Sequence, residues 1–371
     1  MSPRSLSAIV LAAGEGTRMR SPLPKPLHRL CGRPLVLHVL DALAELPVER
    51  VVVVIGHHAA EVAKVVEAEA PTRLRLEFVE QVRPLGTGDA VAVALTGFPT
   101  TADLDDGDLV VLPGDAPLVR AATLASLVRL HRERDAAASL LTARIADPTG
   151  YGRIVRQRDG RVASIVEEAD LSGEQREIDE VNTSMYCFRH SVLAPALRRI
   201  SPNNTSGEYY LTDTIAVLAD AGYPVISMVV PDPSEAAGVN DRAQLAAAES
   251  ELRSRMNERW MRRGVTMVDP DATYLDASVR LGPDVTIFPG VVLEGSTIIG
   301  PQAVIGPNCH LIDTEVGAGS RVEHTVARDA RIGEEATVGP FVVLRPGAEV
   351  ANGERRESSF GGRRGDEPEE G

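Results

Sequence analysis

Aromatic residues are nearly missing from this chain: one tryptophan and 4% aromatic side chains in 371 residues. Any interior must therefore be built from Val, Leu, Ile and Ala, and a hydrophobic fraction of 43% is enough for about two or three domains. An excess of positive charge is missing too. Lys and Arg number 39 against 53 Asp and Glu, a formal net charge of −14, which argues against a protein that tracks nucleic-acid phosphates. An acidic protein can still bind a nucleotide if a few cations gather in one pocket. Cysteine is scarce: Cys31, Cys187 and Cys309 lie far apart and form no CxxC pair. That excludes a disulfide framework and a zinc site and fits a reducing compartment. No apolar run reaches the length of a membrane span. Ala8 to Ala13 is cut off by Gly14 and Glu15, too short for a signal sequence, and "VVVVIG" (51–56) reads as a buried strand. The expectation is a cytoplasmic protein with neither membrane nor nucleic-acid partners.

Up to about residue 230, short aliphatic runs (Ser7–Ala12, Val51–Ile55, Arg75–Val79, Leu109–Leu112) alternate with helical patterns such as Leu35–Leu46 and Ala59–Ala68. Continuous apolar strands separated by helices predict a parallel sheet covered on both faces, whose ligands gather at the strand carboxyl ends. Asp241–Arg263 is polar and helix-favouring, with Leu245, Leu252, Met256 and Trp260 along one face. It predicts an amphipathic helix that links two architectures.

From about residue 271 the period becomes six. Leu281, Ile287, Leu293, Ile299, Ile305 and Leu311 recur at that interval, and Val285, Val291, Thr297, Ala303 and Cys309 each follow four positions later. After irregular steps the pattern resumes at Val316/Ser320, Ile332/Ala336, Val338/Val342 and Leu344/Ala348. Six residues place one aliphatic side chain inside each side of a three-sided coil, so a short left-handed parallel β-helix of hexapeptide repeats is expected, with Cys309 in its core. Glycines 282, 300, 306, 317, 333 and 339 follow the aliphatic residues, where the chain must turn a corner. The expected division is an α/β, Rossmann-like domain with a mostly parallel sheet (1–235), a linker with a long helix (236–270), the β-helix (271–350) and a disordered, glycine-rich charged tail (351–371).

The residues able to carry chemistry begin with "LAAGEGTRMRSPLPKPLHRL" (11–30). Gly14 and Gly16 after a strand let backbone N–H groups approach an anion. The loop lacks the Gly-Lys-Ser/Thr of a P-loop, and Met19 stands where a dinucleotide fingerprint needs its third glycine. Alone, such a pair of glycines is equally a tight turn. Arg18 and Lys25 strengthen the phosphate reading, because Pro24 and Pro26 reduce the entropy lost in positioning the lysine. Asp115, just past the strand in "VVLPGDAPL" (110–118), is placed to hold Mg²⁺ on phosphates; otherwise it caps the next turn. Asn240 in "GVND" (238–241) is a candidate second oxygen ligand, or a helix N-cap. "PLGTGDA" (84–90), "GYGRI" (150–154), "IVEEAD" (165–170), "EVNTS" (180–184) and "SGEYYLTD" (206–213) add polar residues that are individually as readily structural. His57 and His58 have no third ligand in view.

In order, these segments resemble sugar-phosphate nucleotidyltransferases: "LAAGEGTRMRSPLPKPLH" is similar to their L-A-A-G-x-G-T-R-M…P-K signature. The series through "LGTGDA", "GDAPL", "DPTGYGRI", "IVEEAD", "EVNTS", "GEYYLTD" and "GVND" resembles the bacterial bifunctional N-acetylglucosamine-1-phosphate uridylyltransferase/glucosamine-1-phosphate acetyltransferase family, over roughly residues 6–350. The resemblance implies that Arg18 and Lys25 neutralise the triphosphate and the developing pyrophosphate, and that Leu11, Ala12, Ala13, Gly14 and Gly114 contact the nucleotide. It implies uracil recognition by Gln81, Gly86 and Thr87, sugar binding by Gly152, Glu167 and Asn182, and Mg²⁺ held by Asp115 and Asn240. Glu208 and Tyr209 take a supporting role. A homotrimer through the β-helix is also implied, although a shortened coil need not form one. Pro84 and Pro113 replace polar residues often found there, Asp89 stands where the family often has His, and Ser184 replaces a glycine. "GPFVVLRPGAEV" (339–350), with Arg345, matches the family, but the later coils of its acetyltransferase site do not follow, so acetyl transfer is expected to be absent. The implied reaction converts UTP and N-acetylglucosamine-1-phosphate to UDP-N-acetylglucosamine and pyrophosphate. Transfer with another sugar-1-phosphate or base, and a non-catalytic assembly module, are the alternatives.

Overall fold

The structure is a computed structural model that describes residues 4–98 and 107–358. It divides into two compact units, one comprising residues up to Arg29 with Pro34–Ala248, the other Leu30–Arg33 with residues from Glu249 onward. The division thus falls inside the long helix rather than before it.

The first unit is built on strands β1 (Leu6–Ala12), β4 (Arg50–Ile55), β5 (Leu76–Glu80), β6 (Asp108–Pro113), β7 (Ala138–Arg144), β8 (Arg153–Arg156), β9 (Val162–Val166), β10 (Glu180–Arg189) and β11 (Val225–Val229), while β2 (Arg29–Leu30) and β3 (Arg33–Pro34) each have one residue in either unit. Its main sheet runs in the order β11-β7-β10-β6-β1-β4-β5, with the β8–β9 hairpin added through β10, while β2 and β3 pair with each other. β1 pairs parallel with β4 on one edge and β6 on the other, and β10 runs antiparallel to β6 and β7. The strands predicted from apolar runs all form, within a residue or so at each end.

Alternate residues on one strand serve opposite cores, which is why these runs are unbroken rather than alternating. In β4, Val51 and Val53 face one cluster and Val52 and Val54 the other; Ala8 and Val10 oppose Ile9 in β1 in the same way. Helices α1 (Leu35–Ala44), α2 (Ala59–Glu69) and α4 (Ala121–Glu133) supply Leu40, Val66 and Leu127 to the first core. Helices α3 (Thr87–Ala94), α5 (His190–Leu197) and α6 (Asp213–Asp220) supply Val91, Leu193 and Ile215 to the second. Because the chain passes β1, β4, β5 outward in one direction and then returns to β6 on the other side of β1, the loops leaving β1 and β6 diverge. That topological switch opens a crevice at the strand carboxyl ends.

In the second unit three parallel sheets wind as a β-helix. Ile287 pairs with Ile305 and Leu293 with Leu311, each a full turn of three six-residue sides apart. Later turns are shorter, Leu311 pairing with Ala327 and Val322 with Val338, and these are the irregular steps in the sequence period. The shortening hid Val322 and Ala327, both of which the coil buries. Cys309 is buried in this core as expected.

Gly282, Gly300, Gly317 and Gly333 form a column down the coil. A Cβ on each would lie 2.5–2.7 Å from backbone nitrogen of the turn above, so close approach between turns, rather than corner-turning, requires glycine there. Helix α7 (Arg242–Arg262) packs Met256 and Trp260 on this core. Its buried Asn257 donates to the carbonyls of Pro270 (2.8 Å) and Thr273 (3.0 Å), a link the apolar pattern did not reveal. The expectation of disorder from residue 351 is corrected for 351–358: Thr337 pairs with Arg355 and Val338 with Arg356, so the ladder extends past the last aliphatic repeat. Residues 359–371 of that expected tail lie outside the described residues.

Adjacent isoleucines give a controlled test of the repeat, since Ile299 is 1% exposed and Ile298 is 44% exposed on the same strand. Ile299→Ala is expected to destabilise the chain by about 2–5 kcal/mol in chemical denaturation. Ile298→Ala is expected to lower stability by no more than about 1 kcal/mol. Equal losses would contradict the alternation.

Candidate active site

A cavity of about 670 Å³ opens at the carboxyl ends of β1 and β6. Leu11, Ala12, Ala13, Gly14, Arg18, Lys25, Gln81, Gly86, Thr87, Gly114, Asp115, Gly152, Glu167, Asn182 and Asn240 all line it, so the structure brings every sequence-derived candidate to one place. Glu208 also lines it, whereas Tyr209 lies behind the wall, receiving the Gly88 N–H on its carbonyl at 2.7 Å.

Backbone pairing assembles the side of the cavity that carries Lys25 and Asp115. The Gly114 N–H donates to the Leu11 carbonyl at 2.8 Å and the Val239 N–H to the Asp115 carbonyl at 2.8 Å, which ties the ends of β1 and β6 to the "GVND" segment. Lys25 begins a 3₁₀ turn between Pro24 and Pro26. Its ammonium donates to Asp115 Oδ2 and, at 2.7 Å, to Asn240 Oδ1. Arg18 Nη2 reaches the same Asn240 oxygen at 3.0 Å. Residues 18, 25, 115 and 240 thus converge, a juxtaposition that no local pattern contains. Gly16, in the left-handed region, is where a Cβ would strike Lys25 Cβ at 2.5 Å, whereas a Cβ on Gly14 would meet nothing. Gly16 therefore makes room for the lysine, and packing places no demand on Gly14.

Asp115 and Asn240 present two oxygens to one cation, here the ammonium, and that oxygen-only pair is suited to a hard divalent ion. Among the described residues no three His, Cys, Asp or Glu side chains converge as a metal site. A pair of protein oxygens completed by phosphates and water is how Mg²⁺ is ordinarily bound.

On the opposite side, Glu167 accepts from the Thr212 hydroxyl at 2.9 Å. Burial pushes its carboxyl above the ordinary range, the Thr212 hydrogen bond opposes this, and the charges of Asp213, Asp170 and Glu208 reinforce it. Gly152 lies against this carboxylate, with room for a Cβ only 3.3 Å from Glu167 Oε2. Asn182 is largely committed: Nδ2 donates to Tyr186 Oη at 2.8 Å and Oδ1 accepts from the Ser184 N–H at 3.2 Å. One amide hydrogen remains for a ligand. Ser184 holds φ 59, the left-handed region a glycine would occupy without strain, at the bulge where β10 shifts register against β7.

Sequence reasoning missed Tyr151 and Thr183, both lining the cavity. Burial raises the Tyr151 phenol, as does the nearby Asp115 charge. "GYGRI" had been singled out, but its tyrosine carries no pattern that separates a wall residue from a core one. Pro84 and Pro113 line the cavity as well, where neither can donate a backbone N–H.

Glycine-bearing loops, a lysine–arginine pair and an oxygen pair at a parallel-sheet switch point define a nucleotidyl transferase, and residues 7–236 match the family model for nucleotidyl transferases. The bifunctional protein GlmU of Desulfitobacterium hafniense is 45% identical over 341 residues, 92% of this chain and 73% of that protein. The GlmU proteins of Thermobifida fusca (47% over 330 residues, 89% and 68%) and Clavibacter sepedonicus (46% over 348 residues, 94% and 69%) are similarly related. This chain belongs to the GlmU family of nucleotidyl transferases. No helix among the described residues is long and apolar enough to cross a membrane.

The raised Glu167 carboxyl sets a pH-dependent stability. The folded state favours its neutral form, so stability is lost as pH rises through the folded-state pKa. Glu167→Gln is therefore expected to melt higher than wild type at neutral pH. The gain should shrink as pH is lowered through that pKa, as followed by thermal melts across pH; a gain that grows toward acid would contradict it.

Proposed function

We propose that the chain transfers a uridylyl group from UTP to N-acetylglucosamine-1-phosphate, giving UDP-N-acetylglucosamine and pyrophosphate. The observation that carries the proposal is the convergence of Lys25, Arg18, Asp115 and Asn240 at the mouth of the switch-point cavity. A phosphate oxygen of the sugar phosphate forms a bond to the α-phosphorus as the bond to the bridging oxygen breaks, and pyrophosphate leaves with that electron pair. The nucleophile is already an anion, so neither a general base nor a covalent intermediate on the protein is needed. What the residues supply is alignment and positive charge.

Lys25 and Arg18 take the charge that develops on the leaving group. The backbone of Leu11–Gly14 and Gly114 holds the nucleotide, with the base against Gln81, Gly86 and Thr87. Gly152, Glu167 and the remaining Asn182 amide hydrogen hold the sugar. Asp115 and Asn240 would hold Mg²⁺, which when bound neutralises phosphate charge. The proposal places the reaction in the cytoplasm, with trimer formation through the β-helix as part of the same reading.

A pyrophosphate-release panel over nucleoside triphosphates and sugar-1-phosphates, run with and without Mg²⁺, is expected to show turnover for UTP with N-acetylglucosamine-1-phosphate and loss of it on chelation. Preference for another pair would reassign the substrate, and no release with any pair would leave an assembly role. Lys25→Ala and Asp115→Asn are each expected to lower kcat by about 10²–10³ with substrate binding largely retained. Near-normal kcat in either variant would sink the assignment. Acetyl transfer is a separate measurement, acetyl-CoA consumption with glucosamine-1-phosphate.

A further inference from the structure

We infer that Asp89 is a positioning residue that fixes which end of the Gln81 amide faces the base, and thereby selects a pyrimidine that carries a hydrogen on N3. The inference rests on the uridylyl-transfer reading.

Gln81 follows β5 directly, its backbone N–H donating to the Ile55 carbonyl at 2.8 Å, and its side chain is buried at the cavity wall, 8% exposed. A glutamine amide has two ends of nearly equal shape, one donating and one accepting, and without neighbours it can present either. Here its Nε2 donates to the Gly86 carbonyl at 3.1 Å and to Asp89 Oδ2 at 2.7 Å. A carbonyl and an ionised carboxylate can only accept, so the NH₂ end must face them both. Oε1 is left turned away from both, making no hydrogen bond among the described residues.

The Gly86 carbonyl alone would occupy one N–H; Asp89 takes the other through a charge-assisted bond and opposes a flip. A neighbour able to donate as well as accept would oppose the flip less strongly.

The frame that aims Asp89 is rigid. The carboxylate sits in the first turn of α3, where negative charge is favoured by the helix N-terminus. That turn is docked by the Gly88 N–H on the Tyr209 carbonyl and by the Leu211 N–H on Thr87 Oγ1 at 3.0 Å. Gly86, at φ 109, is where a Cβ would come within 2.5 Å of the Tyr209 carbonyl oxygen, so only glycine permits this close approach. Asp89 is not among the cavity-lining residues and acts only through Gln81.

An acceptor facing the base edge pairs with the N3–H of uracil. Cytosine carries a lone pair at N3, and two acceptors left face to face in a buried site are strongly disfavoured. The test is kcat/KM for UTP and for CTP, read by pyrophosphate release on the full chain, for wild type, Asp89→Asn, Gln81→Ala and the double variant. Asparagine can donate as well as accept, so Asp89→Asn is expected to lower the UTP/CTP ratio about 10-fold or more, mainly through KM. In the Gln81→Ala background the same change is expected to leave the ratio within about 2-fold, because the two residues act as one unit.

Equal loss for both nucleotides, or the same change of ratio with and without Gln81, would overturn the inference. Failure of the wild type to use UTP would instead overturn the reading on which it rests. Should Asp89→Asn not fold, Asp89→Ser, whose hydroxyl also donates or accepts, is measured in the same way.

Discussion

Strand β1 has a parallel neighbour on each edge and a helix-covered core on each face, and everything chemical in the first unit follows from that confinement. Its backbone groups are spent on β4 and β6 and its side chains on two cores, so the chain can meet a polar ligand only where the strand ends. The return of the chain to β6 on the other side of β1 makes the two loops part, and the cavity is the gap. Lys25 sits in that gap, 12% exposed. A lysine so poorly hydrated needs acceptors, and the carboxylate of Asp115 and the amide oxygen of Asn240 provide them. The same oxygens are the natural partners of a metal ion, and the same ammonium is the natural partner of a phosphate; between themselves Lys25 and Asp115 compensate each other's charge.

The second unit obeys a different constraint. A coil whose turns stack a few ångströms apart must have the same kind of residue at the same height in every turn. Inward Leu, Ile and Val satisfy this on the sides, and the column from Gly282 to Gly333 satisfies it where backbones approach. Turns that shorten by a residue or two keep Val316, Val322 and Ala327 in the stack, so the coil tolerates irregular spacing as long as the inward position is preserved. Asn257 on α7 donates to the backbone carbonyls of Pro270 and Thr273 where the coil begins.

The cavity holds features that a stability-optimised protein would discard: a buried Glu167 carboxyl raised by desolvation and neighbouring acids, and a serine in the left-handed region at Ser184. Both lie on its wall. Their energetic disadvantage is carried by the large aliphatic cores beside them, which is why such residues can persist at a ligand site.

By itself the sequence determined the parallel α/β sheet, the positions of β1, β4, β5 and β6, the six-residue coil and the segments that line the cavity, because each is written in local periodicity or in a short motif. Lys25 between two prolines and Asp115 at a strand end were legible for the same reason. What only the tertiary structure decided is who meets whom. Residues 25, 115 and 240 share one polar contact across more than two hundred positions of chain, and Asp89 holds Gln81 across a turn that Tyr209 anchors from a distant segment. Tyr151, Thr183, Asn257 and the ladder at Arg355–Arg356 were invisible for a related reason. Their roles depend on a neighbour brought in by folding, and a single residue without a periodic partner carries no record of that neighbour in the chain.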